Sequence, residues 1–358
     1  MVQEVSSCSI RNVFKIAGGF VAWLIGSGFA TGQEILQFFS SYGYMSYAVI
    51  AIELGGFLMV GPILLMTGYK QKSQPFFDQF SFYCGKKLGC FYTWIILVCL
   101  VLLMAVLNSA AGSALHEYYG IDKYIGSACM SACVLLAYWI GFDKLVNIIS
   151  KIGPLIILFV FTVSFLTVVK DGGSMAVAGP YAEMLKPMQA APNFVLSAVL
   201  YLSLNFLTGS TYYAALGRSA HSLKEAKWGA VLGGIMFIFT IMLVNTGILL
   251  NAQHTASLAI PTLYLAQHIS AILGAAFSIV LVLGTFCSSA AMIWSICSRV
   301  FVYDVKANRL FAIGITVGTF LLGLCSFSQL VSVFYPLVGY IGLLYIGRVL
   351  WTYHTTKP

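Results

Sequence analysis

Two carboxylic acids, Glu34 and Glu53, sit well inside long apolar runs, and no Lys or Arg lies deep enough to pair with either. A carboxylate at bilayer depth is costly, so such residues face a cavity or a partner and mark ion, proton or solute sites. Either one is therefore a candidate for gating or for carrying a proton. Glu34 belongs to the stretch WLIGSGFATGQEILQFF, Trp23 to Phe39, which is apolar at both ends. Its middle carries Gly26, Ser27, Gly28, Thr31, Gly32, Gln33 and Glu34. Backbone can leave a helix at membrane depth only where protein, water or a ligand satisfies the freed N–H and C=O groups. Glycine lowers the steric cost of doing so. The stretch therefore points to a helix that opens to offer its own backbone. Amides at the new helix start can hold an anion, and freed carbonyls can hold a cation.

A second stretch of this kind is PNFVLSAVLYLSLNFLTGSTYYAALG, Pro192 to Gly217, with Ser203, Asn205, Thr208, Gly209, Ser210 and Thr211 in its middle. Its polar centre begins at about the same depth as that of the first stretch. Close helix packing through small residues is the competing explanation. It suits Gly55, Gly56 and Gly61, or Ser109, Gly112 and Ser113, and it stays open for the second stretch.

The elements that must position these groups follow from composition. Of 358 residues, 60% are hydrophobic and 8% charged, against about 25% charged in soluble domains. Runs of about 20 apolar residues, enough to cross a bilayer, recur along the chain. The expectation is an all-α integral membrane protein with ten transmembrane helices, at roughly 12–39, 42–68, 90–116, 124–141, 152–170, 192–217, 228–250, 263–297, 308–327 and 329–350. The start of the eighth, Pro261 to about Ser270, reads as an outer loop helix. An even count puts both termini on one side. Of the nineteen Lys and Arg residues, only Lys123, Lys170 and Lys186 then fall on the other side. That asymmetry places both termini in the cytoplasm of a cell-membrane protein. The net charge of +8 is thus a topology signal and does not suggest nucleic acid. The start of the chain has no cleavable-signal pattern. A single polytopic domain, 1–358, divides into five spans at 12–170 and five at 192–350. An odd number per half makes the second half enter from the opposite side, the arithmetic of an inverted repeat. The first helix of each half, spans one and six, is the one expected to break near mid-membrane.

The nine cysteines have no metal-ligand spacing and read as small apolar fillers. The five histidines lie near span ends or in loops. No nucleophile–base pair, phosphate loop or redox centre is present, so an enzyme has little support.

With these motifs in view, IGSGFATGQEILQFF resembles the first-span signature of the YkvI-like family of bacterial membrane proteins. More broadly it is similar to the amino acid–polyamine–organocation superfamily, which has the LeuT-like fold. The resemblance covers the ten-span plan and three motifs. From LIGSGF it implies that amides at Ser27 and Gly28, with Phe29 and Ala30 nearby, hold a substrate carboxylate. From LSLNF it implies that carbonyls of Leu200, Tyr201 and Ser203 lie near a substrate amine, with the Phe206 ring against its side chain and Asn205 replacing a glycine. From GTFCSSAAM it implies one sodium ion between spans one and eight, held by carbonyls of Ala22, Ile25 and Gly284 and hydroxyls of Ser288 and Ser289. Strict register puts Cys287, a poor sodium ligand, in place of Ser289. The two serines bonding back to their own helix is the competing explanation. A second sodium site beside the substrate looks absent, since Phe29 and Tyr201 stand at its positions.

The expected function is secondary active transport of a small amine-bearing or zwitterionic solute, an amino acid above all, coupled to sodium by alternating access. The alternatives are proton coupling through Glu34 or Glu53, exchange, and a ligand sensor of the same fold that does not transport. The expected partners are the solute and membrane lipid, with no organic cofactor; the sequence leaves the oligomeric state open.

Overall fold

The computed structural model describes residues 9–74, 78–140, 142–174, 183–301 and 304–355. Among these residues, nine helices are long and apolar enough to cross a membrane. They are α4 (Ser46–Lys70), α5 (Gln79–Tyr119), α6 (Lys123–Ile140), α7 (Phe142–Asp171), α8 (Phe194–Arg218), α9 (Leu223–Leu250), α12 (Ala271–Cys297), α13 (Val305–Leu322) and α14 (Phe327–Thr355). The remaining apolar segment is the first expected span. It is divided into α1 (Ile10–Leu24), α2 (Ser27–Ala30) and α3 (Gln33–Phe38). Two short helices, α10 (Ala252–Thr255) and α11 (Pro261–Ile269), lie between α9 and α12. The outer loop helix expected at the start of the eighth span is thus α11.

Two helices begin about three turns ahead of the sequence expectation. α5 begins at Gln79, well before residue 90, because Asp78 caps a preliminary helical stretch by accepting the Phe80 and Ser81 amides. Gly85, at φ 73°, then turns the chain into the long apolar part. α7 begins at Phe142, adding an amphipathic stretch ahead of the span.

The sixth span differs more fundamentally. α8 runs unbroken for 25 residues from Phe194 to Arg218, so the expected break there does not occur. Two of its central polar residues bond within the helix, Asn205 Nδ2 donating to the Tyr201 carbonyl at 2.9 Å and Thr208 Oγ1 to the Leu204 carbonyl at 2.8 Å, and Ser210 shares a hydrogen bond with the Tyr345 hydroxyl of α14. Such bonds one turn back along the helix need no break.

Most helices present an apolar face to one large buried core, while α6 and α13 pack with parts of α5 and α12 in a smaller one. Aromatic rings link its elements: Phe20 of α1 stacks on Tyr213 of α8 at 4.8 Å, and Phe57 of α4 meets Phe206 of α8 at 4.8 Å. α1 packs along α9, and α8 is held between α4 and α14.

Candidate functional site

The break in the first span has two interruptions, and each is resolved differently. At the first, Ile25 (φ −87°, ψ 63°) and the extended Gly26 separate α1 from α2. Ile25 N–H donates to the Val21 carbonyl, but no backbone N–H among the described residues donates to the Ala22 or Ile25 carbonyls. At the second, Gly32 adopts φ 78° between α2 and α3. Only glycine takes that conformation without strain. A Cβ there would also lie 2.7 Å from Thr262 Cγ2. Here the freed groups are satisfied by protein. Thr262 Oγ1 of α11 donates to the Ala30 carbonyl at 2.5 Å, and Thr262 N–H to the Thr31 carbonyl at 3.3 Å. Thr31 Oγ1 donates to the Gly28 carbonyl at 2.6 Å and accepts from Gln33 N–H at 3.2 Å, capping α3.

Glu34, in the first turn of α3, folds back over this break. A Cβ on Gly28 would lie 2.5 Å from Glu34 Oε1 and 2.7 Å from the Tyr335 hydroxyl. The Glu34 carboxyl hydrogen-bonds Tyr335 of α14, and Tyr201 of α8 donates to its Oε2 at 3.2 Å. Glu53 of α4 lies on the far side of Tyr201, within electrostatic reach of the same hydroxyl as Glu34. It is wholly buried, with the Leu202 backbone beside its carboxyl and no side-chain partner among the described residues. Neither acid has an ion-pair partner there.

The site is closed on one side. Gln33, Glu34, Gln37 and Tyr201 are all buried, and Gln37 Nε2 ties α3 to the start of α14 through the Ser328 carbonyl at 2.8 Å. On the side that carries the termini, Ala22, Trp23 and Gly26 of the first span, Asn205, Thr208 and Tyr212 of α8 and Ser288 of α12 are half-buried.

The structure brings together some of the sequence-predicted residues and separates others. Gly28, Glu34, Tyr201 and Glu53 cluster. The Ser27 backbone starts α2, and its side chain lies outside the described residues. The Phe29 ring turns away to Phe237 of α9 at 5.3 Å, and the Ala30 carbonyl is taken by Thr262. The carbonyls expected for an amine are engaged. Tyr201's accepts from Asn205. Those of Leu200 and Ser203 press on α14, where a Cβ on Gly339 or Gly342 would come within 2.6 Å of them. The Phe206 ring packs on Phe57 and Tyr213 in the core rather than beside the break.

Of the expected sodium ligands, the Ala22 and Ile25 carbonyls are open, and α12 packs against α2. Gly284 and Ser288 share a face of α12 with Leu281. Ser289 lies elsewhere. It stands about three turns from Ser278, hence on the same face, and Ser278 bonds Tyr119 of α5 at 3.0 Å. Ser289 Oγ is buried without a partner among the described residues. Ser289 faces α5.

Sequence reasoning missed Tyr335 and Thr262, whose contacts are purely tertiary. It also passed over Gln33, whose buried carboxamide has no partner among the described residues. The only sequence signal for Gln33 was its place beside Glu34.

Comparison with known proteins fits this architecture. YkvI, an uncharacterized membrane protein of Bacillus subtilis (strain 168), is 25% identical over 338 residues, covering 94% of each chain. YyaD of the same organism is 21% identical over 322 residues, 89% of this chain and 90% of its own. No family model matches. MhsT, solved in complex with L-phenylalanine, superposes with a TM-score of 0.52 at 16% identity, covering 95% of this chain and 89% of its own. The chain is similar to YkvI along its length and has the LeuT fold. A manganese transporter of Eremococcus coleocola, solved with an aromatic bis-isothiourea compound, matches with a TM-score of 0.50 at 14% identity, over 99% of this chain and 74% of its own. These structural likenesses, low in identity, speak for the fold.

Proposed function

We propose that the protein is a secondary transporter that carries a small amine-bearing solute by alternating access, with Glu34 as the group that binds the amine. One observation carries this reading. The Glu34 carboxylate lies over Gly28, against the backbone where the resemblance puts a solute carboxylate. An amino acid's carboxylate would meet Glu34 there instead of free amides, with no basic side chain to compensate. An ammonium group would meet a buried carboxylate and two tyrosine hydroxyls, a charge-assisted arrangement. The span-six carbonyls expected to hold the amine are bonded or packed away, which leaves Glu34 as its partner.

With cytoplasmic termini, the contacts made by Gln37, Ser328 and Thr262 would form the outer gate. The fold of a transporter supports rocking of the first and sixth spans with their neighbours.

A thermal-shift screen tests the reading, since ligands stabilise the state they bind. Methylamine, ethanolamine, putrescine and their N-acetyl derivatives are compared with the zwitterionic amino acids. Stabilisation by free amines but not by acetylated ones is the expected outcome. Stabilisation by amino acids alone would defeat the assignment of Glu34.

Sodium coupling is a second reading, favoured by the Ala22 and Ile25 carbonyls, which accept no backbone N–H among the described residues, and by the packing of α12 against α2. Running the same screen in sodium and in potassium separates the two. A sodium-dependent shift lost in Ser288→Ala supports a cation between the first span and α12.

A further inference from the structure

The amine reading leaves open what Glu34 does when no amine is bound. The carboxyl is buried, and the titratable groups facing it are Tyr201 of α8, Tyr335 of α14 and, beyond Tyr201, Glu53 of α4. From α9, Asn245 is neutral and bonded to Ser40 and Ser46, and the helical turn Glu183–Met188, which also packs on α3, carries Glu183 and Lys186 exposed and paired to each other. The elements nearest in the chain, α2 and the turn after α3, contribute no Lys, Arg or His. Two tyrosine hydroxyls can donate to a carboxylate but cannot cancel its charge.

Alternating access requires the site to be shut from both sides at some point in the cycle. A lone carboxylate enclosed in this way carries a desolvation penalty of several kcal/mol. The bare anionic site is therefore a poor traveller. It crosses readily in only two forms, with its charge compensated by a bound ammonium or removed by a proton.

Resting on the amine reading, we infer that the protein exchanges protons for amines: the proton and the amine compete for Glu34, and each carries the site across in the opposite direction. The step balances. An ammonium R–NH3+ arrives and the Glu34 O–H gives its proton to water on the same side. After reorientation the ammonium leaves, and a proton from the other side takes its place on the carboxylate. One positive charge moves each way, so exchange of a monoamine is electroneutral. Symport of proton and amine is disfavoured, because both would occupy one carboxylate.

Isothermal titration of the purified full-length protein with ethanolamine or putrescine tests this. The titration is run in two buffers of different ionisation enthalpy across a range of pH. The expected result is release of up to about one proton per amine bound from Glu34. Apparent affinity should weaken as pH falls, approaching about tenfold per pH unit once Glu34 is protonated in the free protein. Glu34→Gln should abolish the proton release, while Glu53→Gln retains it. Amine binding with no proton release at any pH, or release that survives in Glu34→Gln, overturns the exchange and leaves the amine reading standing. No binding of any amine overturns both. If Glu34→Gln does not fold, Glu34→Asp serves. It keeps the carboxyl but retracts it from Gly28, and must keep proton release while binding amine more weakly.

Discussion

The first and sixth spans begin the two halves of the chain, and both read as apolar segments with polar, glycine-containing centres. One breaks and the other does not. In the first span, Gly32 stands at φ 78°, and the freed carbonyls of Ala30 and Thr31 find donors in Thr262 of another element. In α8 Asn205 and Thr208 bond back to their own helix, Ser210 bonds Tyr345 of α14, and Gly209 stays helical against Trp23 and Tyr213. A polar centre is therefore not enough to break a membrane helix. A break needs a residue that tolerates the new backbone and a partner elsewhere that satisfies the freed groups. The charge follows the same division: Glu34 sits at the break, and α8 supplies only the neutral Tyr201 to hold it.

Substitutions that treat the two spans alike should therefore give unlike results. The largest contrast is in binding. Glu34→Gln removes one partner of a buried charged contact, worth about 3–5 kcal/mol. Ethanolamine affinity should fall at least about a hundredfold by calorimetry, whereas Asn205→Ala in α8 should change it less than about threefold. A loss as large in Asn205→Ala would put the amine against α8 after all.

Next is the backbone. Gly32→Ala forces a side chain into a left-handed conformation, costing about 1–2 kcal/mol, and into Thr262. Thermal unfolding in detergent should show a clear loss of stability. An unchanged midpoint would mean that the second interruption is not held as described.

A smaller effect is expected where only satisfaction changes. Thr262→Val keeps the shape but leaves the Ala30 carbonyl without its donor, a cost of about 1–2 kcal/mol. The smallest effect belongs to the matching change in α8. Thr208→Val removes a bond to a carbonyl that keeps its own helical donor, and stability should move by less than about 0.5 kcal/mol. Equal losses in the two valine variants would erase the distinction between the spans.

Much of this architecture was legible in the chain. Apolar run length located the long helices, because the bilayer imposes a fixed thickness and every backbone group must be bonded within it. The break in the first span was legible too, since glycines beside Glu34 in an apolar run have few other uses. The start of α5 was not, because the Asp78 cap and the Gly85 turn act on residues without a hydrophobic signal.

The sequence by itself determined that this protein is a multi-span α-helical membrane protein with two unpaired acids near its centre. Composition and periodicity are enough for that, because lipid is an unforgiving solvent. Only the tertiary structure decided what those acids meet. Tyr335 lies about 300 residues from Glu34, and Thr262 of α11 closes the break from the far half of the chain. No local pattern encodes such contacts. They arise because packing brings distant donors to groups that membrane depth leaves no other way to satisfy.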